Sequence, residues 1–338
     1  MILDGHLPAS IAAAARALRS GALLGLPTET VYGLAADADN DAAVAQIFAA
    51  KGRPSDHPLI VHVADASAIA HFASAVPVFA QALVDAFWPG PLTLILPRRP
   101  DRARAATGGQ DSVGLRCPAH PVAHAVLQAC AQGGSALDGA PVRGVAAPSA
   151  NRFGRVSPTT AAHVQAELGD ALLVLDGGPC AVGIESTIVD CTRGVPVLLR
   201  PGAITRAQIE AACGLRLLSK EELPAHTPRA SGTLLAHYAP NAKVRLMDAR
   251  ALQAGLDLLG QDAAHLAVYA RTPLRKTKGA HGVQLRRMPG DAQAAAAELF
   301  AVLRELDDQG MRLIWVETPP EAPDWEGVRD RLQRAAAA

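Results

Sequence analysis

The sequence predicts an α/β protein of two domains. Three observations carry that expectation. The chain has 338 residues, more than one domain usually holds. Short apolar runs of strand length alternate with stretches whose apolar residues recur at helical spacing. Four polar triplets, Thr28-Glu29-Thr30, Lys51-Gly52-Arg53, Ser149-Ala150-Asn151 and Glu185-Ser186-Thr187, follow or flank these apolar segments. Hydroxyls, amides and cations at the mouths of an α/β sheet are what a site for a phosphorylated ligand and a small polar substrate requires, so the pattern points to an enzyme.

Residues 10–20 read as a helix, because Ile11, Ala14, Ala15 and Leu18 form one stripe and Gly21 follows as a stop. Residues 22–26 form a short buried strand. Asp41 stands where it would cap a helix with Val44, Ile47 and Phe48 at core spacing, and that helix delivers Lys51 and Arg53 to the next loop. Over 59–63, alternation puts Leu59, Val61 and Val63 on one face and Ile60 and His62 on the other, where His62 can face a ligand. Further strands are predicted over 92–96, 113–116, 172–175, 187–190 and 197–199, and helices over 77–87, 122–131, 160–168 and 205–213. Residues 215–241 mix Pro, Ser, Gly, His and Thr with little periodicity and read as a linker between domains at 1–214 and 242–338. In the second domain, strands over 244–247, 266–269 and 313–316 alternate with helices over 249–259 and 292–306, the pattern of a small Rossmann-like fold. It has no Gly-rich nucleotide fingerprint, so its shape alone implies no cofactor.

Apolar residues make up 49% of the chain, ample for a core. The formal charge is zero and the pI about 7.2, so no global field draws the chain to nucleic acid or to an anionic membrane, and stable binding of naked RNA is not expected. Five cysteines, Cys117, Cys130, Cys180, Cys191 and Cys213, contain no Cys-x-x-Cys pair. Their odd number does not suit a disulfide framework and fits a reducing, cytoplasmic setting. No secretory signal is read at Met1, and no apolar run reaches the roughly 20 residues of a membrane helix.

Read in order, Pro27-Thr28-Glu29-Thr30-Val31-Tyr32-Gly33-Leu34, Lys51-Gly52-Arg53-Pro54, Phe87-Trp88-Pro89-Gly90-Pro91-Leu92-Thr93, Ala147-Pro148-Ser149-Ala150-Asn151, Ser157-Pro158-Thr159-Thr160 and Leu199-Arg200-Pro201-Gly202 resemble the YrdC-like threonylcarbamoyl-AMP synthases over roughly residues 8–210. Ser231-Gly232-Thr233 and His237-Tyr238-Ala239-Pro240 are similar to the linker of that family's long form, which appends a smaller domain. Two departures stand out. Residues 131–145 lengthen the approach to Ser149 and read as an enlarged surface loop, and Ser231-Gly232-Thr233 replaces the Pro-Gly-Met common in long-form linkers.

The resemblance implies an open, twisted mixed sheet with flanking helices, plus the Rossmann-like domain. It also implies an enzyme that joins L-threonine, bicarbonate and ATP into threonylcarbamoyl-adenylate with release of pyrophosphate. A tRNA threonylcarbamoyl transferase would then use the product beside the anticodon. By the same resemblance, Lys51, Arg53, Ser149 and Asn151 form the catalytic group. Thr30, His62, Arg116, Ala147 and Thr187 hold L-threonine, while Arg53, His57, Ser112, Ser149, Ser157, Arg200 and Tyr238 contact ATP. Mg2+ arrives with the nucleotide, and no dedicated metal cage is read.

Taken singly, these residues have plainer readings. Lys51 and Arg53 suit solvated charges at a helix end. Thr28, Thr30, Ser149 and Asn151 suit turns and caps, and Ser157 before Pro158 suits an N-cap. His57 and His62 suit ordinary loop and strand positions. The tryptophan of the Phe87 to Thr93 run reads as packing in a double-proline turn. Two other functions stay open on the residues. One is a nucleic-acid module using Arg271, Arg275, Lys276, Lys278, Arg286 and Arg287, which the 4% aromatic content and the lack of interleaved aromatics disfavour. The other is adenylation of a different carbamoyl substrate.

Overall fold

The computed structural model describes residues 1–132, 140–222, 228–259, 263–275 and 282–338. It divides into one unit of Met1–Phe153 with Ser157–Thr233 and a second of Gly154–Val156 with Leu234–Ala338.

The strands of the first unit are β1 (Ile2–Asp4), β2 (Leu24–Leu26), β3 (Gly33–Asp37), β4 (Ile60–His62), β5 (Leu92–Pro97), β6 (Ser112–Arg116), β7 (Val145–Ala146), β8 (Leu173–Asp176), β9 (Thr187–Asp190), β10 (Val197–Arg200) and β11 (Leu218–Ser219). They form a mixed sheet in the order β1-β8-β2-β3-β7-β4-β6-β5-β9-β10-β11. Around them lie α1 (Pro8–Arg19), α2 (Asp41–Lys51), α3 (Ile69–Phe72), α4 (Val78–Phe87), α5 (Pro121–Gln132), α6 (Ala161–Leu168) and α7 (Arg206–Cys213).

Alternation sorts the sheet's side chains to two faces. On β3, Leu34 and Ala36 join the core containing Val44 and Ile47 of α2 and Leu83 of α4. Ala35 joins the opposite core, with Leu18 of α1 and Val126 of α5. Farther along, Leu92, Leu94 and Leu96 of β5 and Val113 and Leu115 of β6 pack into the first of these cores. Their alternates, Thr93, Ile95, Ser112 and Gly114, line a pocket instead.

Three strands of this unit escaped the sequence reading. β3 is Gly-Leu-Ala-Ala-Asp, without a β-branched residue, and forms because it is buried between β2 and β7. β1 and β11 are short strands at the sheet's edges. A fourth, β7, begins at the last residue of the predicted loop over 131–145. Residues 133–139 lie outside the described residues, but Val142 and Val145 are buried, and the Val142 amide donates to Cys130 O at 3.0 Å. β7 fills the gap between β3 and β4 and runs antiparallel to both.

Two caps also differ from expectation. Asn40, not Asp41, caps α2 by accepting from the Ala43 amide at 3.1 Å. Thr160, not Ser157, caps α6 by accepting from the His163 amide at 3.2 Å.

In the second unit, β12 (Lys243–Met247), β13 (Leu266–Ala270), β14 (Gln284–Arg287) and β15 (Leu313–Glu317) run parallel in the order β12-β15-β13-β14, with α8 (Ala249–Leu259), α9 (Ala292–Asp308) and α10 (Glu326–Ala336). β14, Gln-Leu-Arg-Arg, was hidden by its polarity, being an edge strand with half-exposed side chains. α10 was hidden because an arginine completes its buried stripe: Val328, Arg331, Leu332 and Ala335 face inward. Among the described residues, no helix is long and apolar enough to cross a membrane.

Loss of the Asn40 side chain leaves the Ala43 amide without its cap. Asn40→Ala is expected to cost about 1 kcal/mol, and Asp41→Ala less, in urea unfolding followed by circular dichroism.

Candidate active site

Three segments converge at the ends of β2, β4, β6 and β7. The turn after β2 is organised by Thr28, whose hydroxyl accepts from the amides of Thr30 and Val31, both at 3.2 Å, and donates to Val31 O at 2.6 Å. Its single proton is thereby spent, so in the 2.9 Å contact between the two hydroxyls Thr30 is the donor. Arg116 Nη1 donates to the same Thr30 oxygen at 2.8 Å. The Thr30 hydroxyl is left able only to accept.

Arg116 ends β6, and its register partner on parallel β4 is His62. The two side chains therefore leave one face of the sheet. Arg116 is buried, with Nε donating to Gly90 O at 3.2 Å and Nη2 lying 2.7 Å from Glu29 Oε1. Burial first, and the charge of Arg116 second, push His62 down to about 3, so its imidazole is neutral.

Residues 147–151 reach the same place by pairing with the start of β3. The Leu34 amide donates to Pro148 O at 2.8 Å, the Ala150 amide donates to Tyr32 O at 2.8 Å, and Ser149 bridges Gly33. The Ala147 amide donates to Ile60 O at 3.0 Å. Across from this turn, α2 ends on Gly52 with φ 61°, a left-handed cap that favours glycine.

That cap sends Lys51 and Arg53 inward. Both are buried, against the plainer reading of solvated helix-end charges. Lys51 Nζ donates to Ser149 O at 2.6 Å and to Asn151 O at 2.5 Å, and Lys51 O accepts from the Phe153 amide at 2.8 Å. Burial, and then the charge of Arg53, lower the Lys51 pKa to about 7, with Glu167 and Glu185 acting the other way. Arg53 lies over the Phe153 ring at 5.6 Å, and its Nη2 donates to Pro58 O at 3.0 Å and to Ser231 Oγ at 3.4 Å. His57 meets the same ring edge-on at 5.5 Å and is lowered by burial and by Arg53. Asn151 is buried, with Nδ2 donating to Arg152 O at 2.7 Å, and Ser149 is half-buried.

Beside these groups is the pocket, on the sheet face formed by Ile60, Thr93, Ile95, Ser112, Gly114 and Ile188. Gly114 leaves room that a side chain would fill. Residues 229–231 make its wall. Gln110 holds that wall in both directions, accepting from the Arg229 amide at 2.8 Å and donating to Arg229 O at 3.2 Å. Arg229 also pairs with Asp56 at 2.5 Å. Arg200 joins wall to sheet, with Nη1 donating to Ser231 O at 2.9 Å and Nη2 donating to Ser186 O at 2.9 Å.

Two of the expected contacts are spent on neighbours in this structure. Ser157 Oγ donates to Glu185 Oε1 at 2.5 Å. Thr187 turns to the face of Val189, and its hydroxyl donates to Ile204 O at 3.1 Å and accepts from the Ile204 amide at 3.2 Å, which commits it to the turn after β10. Tyr238 belongs to the second unit, where it stacks on Phe300 at 5.5 Å beneath the Arg331 guanidinium. Glu29, Gln110 and Arg229 were missed as site residues. Glu29 stood in the first polar triplet, whereas nothing in the sequence marked Gln110.

The basic stretch of the second unit is partly neutralised. Arg271 pairs with Glu317 at 2.9 Å and lies 5.4 Å over Trp325, and Arg286 faces Glu305 at 3.9 Å. Lys276 and Lys278 fall outside the described residues.

Comparison with known proteins agrees with this architecture. Residues 16–202 match the Sua5/YciO/YrdC family, described as "Telomere recombination", and residues 204–337 match the "Threonylcarbamoyl-AMP synthase, C-terminal domain". The Bacillus subtilis threonylcarbamoyl-AMP synthase is 38% identical over 331 residues, covering 96% of this chain and 92% of that one. The chain belongs to the threonylcarbamoyl-AMP synthase family. The Pyrococcus abyssi threonylcarbamoyl-AMP synthase is 35% identical, covering 96% of this chain and 93% of that one. The crystal structure of P. abyssi Sua5 complexed with L-threonine superposes with a TM-score of 0.85 at 34% identity, covering 96% of this chain and 94% of that one. The family thus spans both units, and the mixed sheet and parallel Rossmann-like sheet are its fold.

Gln110→Ala removes both bonds to Arg229 without touching the core. Amide exchange at 229–231 is expected to accelerate while global unfolding stays within about 1 kcal/mol of the wild type, a contrast that hydrogen-exchange mass spectrometry reads directly.

Proposed function

We propose that the chain makes L-threonylcarbamoyl-adenylate and pyrophosphate from L-threonine, bicarbonate or CO2, and ATP. The product would supply a tRNA threonylcarbamoyl transferase in the cytoplasm. The observation that carries this reading is the gathering of four buried cationic residues, Lys51, Arg53, Arg116 and Arg200, around one face of the first unit beside a half-apolar pocket. Carboxylate, carbamate and triphosphate are all anions, and fixed donors in a water-poor cleft bind them with little reorganisation.

The threonine amine adds to CO2, giving a carbamate. A carbamate oxygen then attacks the α-phosphorus, and the bond to the bridging oxygen breaks as pyrophosphate leaves. Arg116 holds the threonine carboxylate by a charge-assisted hydrogen bond, Thr30 and His62 the remaining polar atoms, and Ala147 borders the site through its backbone. Thr187 acts by fixing the turn after β10. Arg53, His57, Ser112, Ser149 and Arg200 surround the nucleotide. Mg2+ enters bound to the phosphates of ATP. Ser149 and Asn151 are presented to the reacting atoms by Lys51, which grips the backbone of both. Burial holds the Lys51 pKa near 7, so its charge is poised around neutral pH, and anionic phosphates would raise that pKa and favour the ammonium form.

Pyrophosphate release in the presence of Mg2+, with threonine or bicarbonate omitted in turn and the product weighed by mass spectrometry, tests the reaction. Release that requires both, with the mass of threonylcarbamoyl-adenylate, is expected; release with another amino acid changes the substrate, and none overturns the reading. Arg53→Ala and Ser149→Ala are expected to fold normally and lose about 100-fold in turnover. Near-normal rates in both would contradict their roles.

A further inference from the structure

The threonine site contains a charge that the reaction described above leaves unused. Glu29 is buried, 9% exposed, and its Oε1 lies 2.7 Å from Arg116 Nη2. Yet neither carboxylate oxygen of Glu29, nor Nη2 itself, makes a hydrogen bond among the described residues, because the pair is close but not aligned. A buried ion pair with unspent hydrogen-bonding capacity is costly, since desolvation is repaid only when the remaining lone pairs and protons find partners. The backbone is pinned there, with the Val182 amide donating to Glu29 O at 2.7 Å.

We propose that Glu29 receives the ammonium group of the amino-acid substrate while Arg116 Nη2 takes its carboxylate. This assignment rests on the threonine site proposed above. The donors and acceptors match an α-amino acid zwitterion. Nε is committed to Gly90 O and one Nη1 proton to Thr30, which leaves Nη2 as the guanidinium nitrogen that makes no hydrogen bond among the described residues. Thr30 Oγ1, whose proton goes to Thr28, can only accept, and it sits on the guanidinium nitrogen adjacent to the one facing Glu29. Thr30 and Glu29 are thus two acceptors side by side, the arrangement an ammonium group needs. Nη2 is the donor a carboxylate needs. In the ligand-free chain the two protein charges hold each other's place. A zwitterion inserted between them replaces one misaligned pair by aligned charge-assisted hydrogen bonds. His62 Nδ1, buried and with no hydrogen-bond partner among the described residues, remains for the substrate hydroxyl.

A plainer role for Glu29 would be to orient Arg116 alone, and the two differ in what they predict for a ligand without an amine. The full-length chain and Glu29→Gln are titrated calorimetrically with L-threonine and with the 2,3-dihydroxybutanoate of the same configuration, in which hydroxyl replaces ammonium. Glu29→Gln is expected to weaken L-threonine by about 10–100-fold, the range for a lost hydrogen bond to a charged group, and to change dihydroxybutanoate by less than about 3-fold on the same scale. Equal weakening of both ligands, or unchanged affinity for threonine, overturns the proposal. Should Glu29→Gln fail to fold, the wild type alone decides: it must prefer threonine to dihydroxybutanoate by about 10-fold or more, and equal affinities overturn the assignment. A wild type that binds neither ligand overturns the threonine site itself, an outcome distinct from loss of the Glu29 role.

Discussion

The candidate active site depends on one buried amino group. Lys51 Nζ binds two backbone carbonyls of a turn about a hundred residues distant in sequence, Ser149 O and Asn151 O. Through it the end of α2 and the Ser149-Ala150-Asn151 turn become a single rigid object. Burial removes the solvation that would keep the group charged, and Arg53 next to it adds like-charge repulsion. The outcome is a lysine that can hold the turn as a neutral amine, which needs only two protons for two carbonyls. Anions sharing the cleft would favour its cationic form. Arg53 cannot do this, since a guanidinium does not give up its proton in proteins. It provides fixed charge instead, braced by Phe153 and Pro58 O.

The mixed sheet supplies the frame in which such buried charges are tolerable. Leucines and valines on one face of β5 and β6 anchor against α2 and α4, so the opposite face can carry Thr93, Ser112, Gly114 and Arg116 without loss of core. Segment 229–231 covers part of that face, and its attachments are to side chains: Gln110, Asp56, Arg200 and Arg53. Polar attachments of this kind can release at lower free energy than a packed core, which suits a wall beside a site proposed to admit and discharge nucleotide.

Much of this was legible in the sequence where local pattern and tertiary fate agree. β5, β6, β9 and β10 read correctly because each alternates or is continuously apolar, and α4, α6 and α7 because their apolar stripes have caps or breaks at their ends. β3, β7 and β14 did not, since pairing with neighbours, not their own composition, makes them strands. The polar triplets were visible as chemistry, but their solvation was not. Lys51 and Arg53 look like surface charges until the fold buries them. Gln110 and Arg229, separated by more than a hundred positions, share no local signal, and Glu29 acquires meaning only when Arg116 is seen beside it.

The titration of Lys51 tests this account most directly. The side-chain nitrogen of 15N-lysine-labelled protein, assigned with Lys51→Met, would be followed by NMR against pH with and without MgATP. The account predicts a midpoint near 7 in the free chain that rises when nucleotide binds. A midpoint at the ordinary lysine value of 10.5, unmoved by nucleotide, would contradict it.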